Sequence, residues 1–514
     1  MRMTFVGHAG VYLETAAGSI LCDPWFNPAY FASWFPFPSN ETLDLDAITR
    51  PDYLYVSHLH HDHFDPRFLR DHVTKEATVI LPDYPMNHLE RALTDLGFHR
   101  FLRTTDCEPV ERDGLRLMTM ALIAPTDGPT GDSGLAVDDG ATRIFNQNDS
   151  RPVNLDALAA FGPYDGHFLQ FSGAIWYPMV YDMPPRAKQA LARKKRINGM
   201  ARAKRFVDEV GATYVFPCAG PACFLDDDLF AFNDFDRDPA NIFPDQTVFI
   251  EYLREQGLDN GRLLIPGTVA TLEGGRCEVR HPVPDDEVAA IFADKRAYLE
   301  AYQARKRPVI AAEKATWPDH EVDIVPVLKA WWEPLLAQAD LTCQGVNGRV
   351  LLELGDVDVV VDFLDRRVDA WQGEPCRYRF RIDRALVEWC ILRREEDWVN
   401  ELFLSCRFEA ERDGPFNEYV YNFFKCLSPE RVGYAEGYYA EQAPVRELWQ
   451  FGDYLVQRRC PHLKADLARF GSVEDGVLTC SMHGWQFDLP TGRCLNSDDR
   501  RLYTEPAPAP EPAP

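Results

Sequence analysis

Two stretches of this chain carry side chains whose types and spacing could do chemistry. Near the C-terminus stand Cys460-Pro461-His462 and Cys480-Ser481-Met482-His483-Gly484-Trp485, with seventeen residues between His462 and Cys480. Each half offers one thiolate and one imidazole from a short loop, so two loops could clamp one cluster. Mixed pairs of this kind suit a [2Fe–2S] centre in which two His replace two Cys on one iron and raise the reduction potential. A Cys2His2 zinc finger groups its Cys together and its His together, which is not the order here. The second stretch is His58, His60, Asp62 and His63, an H-x-H-x-D-H run that follows the apolar segment Tyr53-Leu54-Tyr55-Val56 after Ser57. His58 and His60 share a face, and Asp62 with His63 reaches a second position, so one or two metal ions could be held. Four potential ligands in six residues are hard to explain as core packing or as a solvated surface.

The C-terminal stretch closely resembles the Rieske family. The resemblance runs from Cys460-Pro461-His462-Leu463 through Cys480, His483-Gly484-Trp485, Phe487-Asp488-Leu489 and Thr491-Gly492 to Cys494. It implies a [2Fe–2S] cluster on Cys460, His462, Cys480 and His483. The N-terminal motif resembles the metallo-β-lactamase superfamily, which implies an αββα sandwich with a metal site at the sheet edge. Gly7-His8-Ala9-Gly10 and Cys22-Asp23-Pro24 resemble its branch containing ascorbate-6-phosphate lactonase and N-acylphosphatidylethanolamine phospholipase D. That branch implies further ligands. A bridging Asp after a strand is supplied by Asp149. A His in the loop before it is missing from Ala124-Pro125-Thr126-Asp127-Gly128. A His after a late strand is missing from Pro217-Cys218-Ala219-Gly220. Asp127, His167 or Cys218 could substitute, and His8 could line the site.

The same segments resemble the cytidine-monophosphate-N-acetylneuraminate hydroxylases, which pair a Rieske domain with a metallo-β-lactamase-like domain. The residues concerned are Ser57-His58-Leu59-His60 with Asp62-His63, and Asn148-Asp149 with Arg151-Pro152. Phe171-Ser172-Gly173-Ala174 with Tyr177-Pro178-Met179, and Pro217 with Ala219-Gly220, complete the set. In those hydroxylases the Rieske domain leads, whereas here it trails, so the substrate is not carried over.

The elements that must position these residues follow from periodicity and turn chemistry. Residues 1–275 alternate short strands, turns and helices and are expected to form the metallo-β-lactamase-like metal-binding domain. Residues 285–425 are expected to form an α+β middle domain that joins its neighbours or holds an apolar pocket. Within it, 285–307 reads as one amphipathic helix, 325–336 and 385–394 as helices, and 350–354, 357–363, 376–382 and 401–408 as strands. Residues 427–503 read as an all-β Rieske domain and 504–514 as a disordered Pro/Ala tail. A basic helix over 186–211 reads as a solvated face, with a site for an acidic substrate or acidic electron donor as the alternative. Asp226-Asp227-Asp228 reads as a helix cap or surface run.

With 514 residues the chain can bury several cores. Its 54 basic and 80 acidic residues give a net charge of −26, which argues against nucleic acid and anionic membrane as partners. No apolar run reaches the roughly 18 residues of a membrane span, and the N-terminus lacks the apolar core of a signal peptide. The thirteen cysteines read mainly as buried thiols of a reducing cytoplasm.

These readings converge on an expectation of a Rieske-type oxygenase. An external donor (a ferredoxin, cytochrome or reductase) would load the cluster. The cluster would feed one or two irons held by His58, His60, Asp62, His63 and Asp149, where O2 attacks a small molecule. Transfer would run within the chain or across a homo-oligomer contact. The alternatives are a zinc hydrolase with the Rieske domain as redox sensor, and an electron-transfer protein with a degenerate lactamase-like domain.

Overall fold

Alternation along the first strands decides the layering. In β1 (Arg2–Gly7), Met3 and Phe5 enter one apolar cluster and Val6 enters another. In β3 (Gly18–Cys22), Ile20 and Cys22 share the first cluster and Leu21 the second. A sheet buried on both faces must be covered twice, and here it is. The computed structural model describes residues 1–122, 131–173, 175–233, 235, 241–440, 447–461, 465–482, 484–497 and 500–507. Asp127, His462 and His483 lie outside these residues.

The remaining strands of the first unit are β2 (Gly10–Thr15), β4 (Tyr53–Tyr55), β5 (Thr78–Leu81), β6 (Phe101–Arg103), β7 (Val110–Arg112), β8 (Leu115–Leu122), β9 (Asp132–Asp138), β10 (Arg143–Asn148), β11 (Gly166–Gln170), β12 (Tyr214–Cys218), β13 (Val269–Glu273) and β14 (Arg276–Arg280). They form an eight-stranded sheet, β14-β13-β1-β2-β3-β4-β5-β6, and a six-stranded sheet, β12-β11-β10-β9-β8-β7. Phe5, Leu13 and Ile20 of the first meet Leu117, Leu135, Ile144 and Phe168 of the second. Helices Pro66–Asp71 and His88–Asp95 cover the outer face of the first sheet, and Pro185–Val210 and Gln246–Glu255 that of the second. The first unit is thus a metallo-β-lactamase-like αββα sandwich. Pairs β3·β4, β4·β5, β10·β11 and β11·β12 are parallel, as crossover connections require.

A second sheet system follows, with β15 (Arg349–Glu353), β16 (Asp358–Asp362), β17 (Arg367–Ala370), β18 (Tyr378–Ile382) and β19 (Phe408–Arg412) in the order β17-β16-β15-β18-β19. Its core is aromatic: the ring centroids of Trp332 and Trp398 lie 4.9 Å apart. This core is continuous with Trp25, Tyr30, Trp34 and Trp176 of the sandwich. The sandwich also extends the edge strand β19, where Ala410 N–H donates to Val180 O at 2.9 Å and Asp182 N–H donates to Ala410 O at 2.8 Å. The C-terminal Rieske domain holds two three-stranded antiparallel sheets. One is β20 (Leu448–Phe451), β21 (Tyr454–Gln457) and β25 (Thr504–Pro506); the other is β22 (Gly471–Glu474), β23 (Val477–Cys480) and β24 (Trp485–Asp488).

Several sequence expectations are corrected. The apolar run at 401–408 is not a strand: Val399–Phe403 is a wide helical turn and the strand begins at Phe408, an ambiguity that periodicity cannot settle in a short buried run. The single helix expected over 285–307 is two, Asp285–Ala293 and Lys295–Lys314, because the Asp294 side chain caps the second by accepting from Ala297 N–H. Asp226 is not a surface acid. It is buried and pairs with Arg407 at 2.7 Å and Lys314 at 2.6 Å, tying the sandwich to the middle unit. Thr504–Pro506 pairs as a strand rather than beginning a disordered tail, and residues 508–514 lie outside the described ones. The basic helix is a solvated face only in part: Arg186, Arg193 and Lys194 are exposed, but its other side is packed. Its Phe206 packs on Phe470 with ring centroids 5.1 Å apart, and Lys194 Nζ donates to Gln486 at 3.0 Å, both across to the Rieske domain.

Candidate metal centres

The H-x-H-x-D-H loop leaves the C-terminal end of β4 and turns back on itself, with His63 N–H donating to His60 O at 2.9 Å. It ends at Asp65, whose carboxylate caps the following helix through Phe68 N–H at 2.9 Å and also accepts from Phe26 and Asn27 N–H. Folding places six side chains in two groups of three. Donor atoms of His58, His60 and Asp149 lie within 4.8 Å of one another, and so do those of His8, Asp62 and His63. Asp149 stands between the groups: its Oδ2 is 4.0 Å from His58 Nε2 and 3.5 Å from His63 Nε2. His8 reaches the second group from the β1–β2 turn, where its φ of 54° aims the ring inward, and its Nε2 is 2.9 Å from Asp62 Oδ2.

The surroundings fix each ring. Asp23 accepts from Ser57 N–H at 2.7 Å and from Ser57 Oγ–H at 2.8 Å, and its Oδ2 lies 3.0 Å from His63 Nδ1. Ser57 Oγ is 2.9 Å from His58 Nδ1. Tyr30 O–H donates to Asp62 Oδ1 at 2.6 Å. With both Nδ1 atoms engaged, the Nε2 atoms of His58 and His63 face the cluster, the arrangement by which outer hydrogen bonds orient metal-binding imidazoles. Burial, then the charges of His63 and His60, pushes His58 well below the usual histidine range. Burial works to raise Asp149, but the charges of His63 and His58 outweigh it and hold the carboxyl below the usual range. At His63 the balance runs the other way: burial works to lower it, but the charges of Asp149 and Asp62 outweigh that and raise it well above the usual histidine range, so metal binding there would displace a proton.

The residues fit a metal. Nε2 of His60, Nε2 of His63 and Oδ1 of Asp149 are buried without a hydrogen-bond partner among the described residues, a costly arrangement unless something else satisfies them. Imidazole and carboxylate donors suit iron as well as zinc. Among the substitutes suggested by sequence, Cys218 lies near enough to feel the charges of Asp149 and Asp23, which together with burial push its thiol well up. His167 is not brought to the cluster. Its register opposite Phe145 turns it to the helix-covered face, where its Nε2 lies 2.9 Å from Gln147 Oε1. Asp132, at the start of β9, was not read from the sequence, and its Oδ1 is 3.5 Å from His58 Nδ1.

The second centre is built differently. Cys460 and Cys480 are both buried in the apolar cluster of Val456, Leu467, Phe470, Leu478 and Phe487. Cys460 N–H donates to Ala465 O at 2.9 Å and Gly484 N–H to Cys480 O at 2.8 Å, so each Cys opens a tight loop. Gly484 has a φ of 73°, a conformation glycine supplies without strain. Two buried thiols on two loops, with His462 and His483 in the same loops by sequence, match the donor set of a [2Fe–2S] cluster. The 185–210 helix seats this unit. Arg202 Nη1–H donates to Met482 O at 2.8 Å, and Arg205 Nη1–H to Arg469 O at 3.2 Å.

Family models describe two parts of the chain. A family model described as "Rieske [2Fe-2S] domain" matches residues 451–504, and one described as "Rv3818-like, SCP2-like domain" matches 324–441. The cytidine monophosphate-N-acetylneuraminic acid hydroxylase of Danio rerio is 28% identical over 87 residues, 17% of this chain and 14% of that protein. The solved structure of CmlA, a diiron beta-hydroxylase from Streptomyces venezuelae, is 19% identical with a TM-score of 0.36, over 53% of this chain and 54% of that one. Among the described residues no helix is long and apolar enough to cross a membrane. A protein of Mycolicibacterium smegmatis named "Putative Rieske 2Fe-2S iron-sulfur protein" is 52% identical over 98% of this chain and 99% of its own length, and this chain belongs to that family of Rieske iron-sulfur proteins.

Proposed function

We propose that the chain is a Rieske-dependent iron oxygenase of the hydroxylase type, acting on a small molecule with O2 and an external electron-donor protein. The observation that carries this reading is the seat of the Cys480 loop. The helix that holds it through Arg202 and Met482 also brings Arg202 within electrostatic reach of Arg151, two residues beyond Asp149. The Rieske loop thus leans on a helix that also faces the Asp149 loop, which favours transfer within one chain. A hydrolytic site has no use for single electrons delivered next to it.

His58, His60 and Asp149 would hold one iron and His8, Asp62 and His63 a second, while Cys460, His462, Cys480 and His483 would hold the cluster. When bound, the irons supply O2 activation and the cluster supplies single electrons. The chain's own residues do the rest. Asp23 and Ser57 hold the Nδ1 edges of His63 and His58, so the rings cannot rotate away. Tyr30 fixes Asp62 through its hydroxyl. Behind the loop the Trp25 ring packs edge-on to His8, with centroids 5.2 Å apart.

The test is to reduce the purified protein chemically under anaerobic conditions and admit oxygen. Fast oxygen uptake with loss of the reduced-cluster electron paramagnetic resonance signal is expected in the unaltered protein. Asp149→Asn should keep the signal and lose the fast reaction, and His462→Ala should lose both. Equal reoxidation rates in the unaltered protein and Asp149→Asn would refute the reading.

A further inference from the structure

Four basic side chains converge beside the Asp149 loop. Lys195 and Arg202 come from the 185–210 helix, Arg151 from the loop after β10, and Arg412 from the end of β19. All four are half-buried. Lys195 Nζ lies 4.9 Å from the centroid of the Tyr177 ring, and the Arg412 guanidinium 5.1 Å from the same ring and 5.5 Å from that of Tyr181. Arg202 uses one N–H on Met482 O.

No carboxylate pairs with any of the four among the described residues, and the charges that bear on Lys195 are those of Arg151, Arg202 and Arg412. Other buried cations of this chain are paired: Arg407 with Asp226 at 2.7 Å, Lys295 with Asp245 at 2.7 Å, and Arg431 with Asp397 at 3.3 Å. Single half-buried cations without a carboxylate recur elsewhere, Arg116 on the Phe161 ring and Arg262 on the Tyr214 ring among them; what sets this group apart is that four converge. Removing cations from water without a counter-charge is costly; the Tyr177 and Tyr181 side chains offset part of that cost at Arg412 and Cys480 part of it at Arg202. Burial, then Arg151, Arg202 and Arg412, pushes Lys195 down to about 7.

We propose that Arg151, Lys195, Arg202 and Arg412 form a binding site for the carboxylate or phosphate of a small molecule, between the Asp149 cluster and the Cys480 loop, with Tyr177 as an aromatic wall. Guanidinium forks grip such groups in two-pronged fashion, and the ammonium adds a point charge. That the anion is one end of the oxygenase substrate rests on the function proposed above; the anion site itself does not.

The experiment uses the full chain carrying its [2Fe–2S] cluster, at constant ionic strength. Inorganic phosphate and malonate are titrated separately by calorimetry, and the resonance spectrum of the chemically reduced cluster is followed in parallel. Saturable binding of at least one anion is expected, with a spectral change, because Arg202 grips both the site and the cluster loop. Affinity should fall about tenfold or more in Lys195→Gln and in Arg412→Gln, as loss of a charge-assisted contact predicts. It should be unchanged in Arg193→Gln, an exposed position on the same helix. If Lys195→Gln loses the cluster, Arg412→Gln, on a different domain, carries the test. The probe that binds tighter names the group. No saturable binding of either probe, or equal weakening in Arg193→Gln, overturns the site. Binding is read without oxygen or turnover, so its failure is separable from failure of the oxygenase reading.

Discussion

At the lactamase-like centre three of the six candidate ligands are held by polar neighbours outside the group, whereas the two described cysteines of the Rieske centre sit in an apolar wall. Asp23, Ser57 and Tyr30 fix His63, His58 and Asp62 at hydrogen-bond distances of 2.6–3.0 Å. Cys460 and Cys480 lean on Leu467, Phe470 and Leu478, and on a helix borrowed from the sandwich. The difference teaches where each site is vulnerable. The first should respond to loss of a single hydrogen bond, the second to loss of packing between domains.

The largest effects should separate the two centres. Cys480→Ser is expected to abolish the visible spectrum of the cluster while leaving metal at the lactamase-like site, and Asp149→Asn is expected to do the reverse. Elemental analysis with absorption spectroscopy checks both. If either variant empties both sites, the centres are not independently built. Next, Phe206→Ala removes the ring that packs on Phe470 and should destabilise the Rieske seat by about 3–5 kcal/mol, read as an earlier loss of cluster absorbance in a denaturant titration. Asp23→Ala touches no candidate ligand atom that faces the cluster. It should still weaken metal retention about 10–100-fold, the range for a lost orienting group, and leave the Rieske spectrum unchanged.

Much of this was legible in the residues. The spacing His58, His60, then Asp62, His63 implies two positions, and the structure divides them between two groups, with Asp149 beside both. His8 was legible only as a lining residue, because its role depends on the β1–β2 turn meeting a loop some fifty residues away in sequence. His167 misled, since strand alternation and register, rather than residue type, turn it to the helix-covered face. The basic helix stood out by composition, but what it faces is set by packing between domains, which local pattern does not encode. Asp226 in its acidic run was opaque for the same reason: Arg407, its partner, lies 181 residues on.

Smaller effects are pH-dependent. Lys195, pushed down to about 7 by burial and its three basic neighbours, should lose its proton as pH rises through neutrality, so malonate affinity should fall from pH 6 to pH 8. Burial, then Asp397 and Glu313, raises Glu401 to about 8. A carboxyl raised on folding contributes stability that is present below its unfolded value near 4 and lost as pH rises through 8. The melting-temperature difference between pH 6 and pH 8 should therefore shrink in Glu401→Gln, as calorimetry would show.

The central claim is that the Rieske centre feeds an iron site in the sandwich rather than accompanying a zinc hydrolase. Mössbauer spectroscopy with iron and zinc quantitation, on protein purified without oxygen, tests it most directly. The account predicts more than two irons per chain, the excess in nitrogen and oxygen coordination and lost in Asp149→Asn. Two irons per chain, all in the Rieske cluster, with zinc at His58, His60 and Asp149, would contradict it.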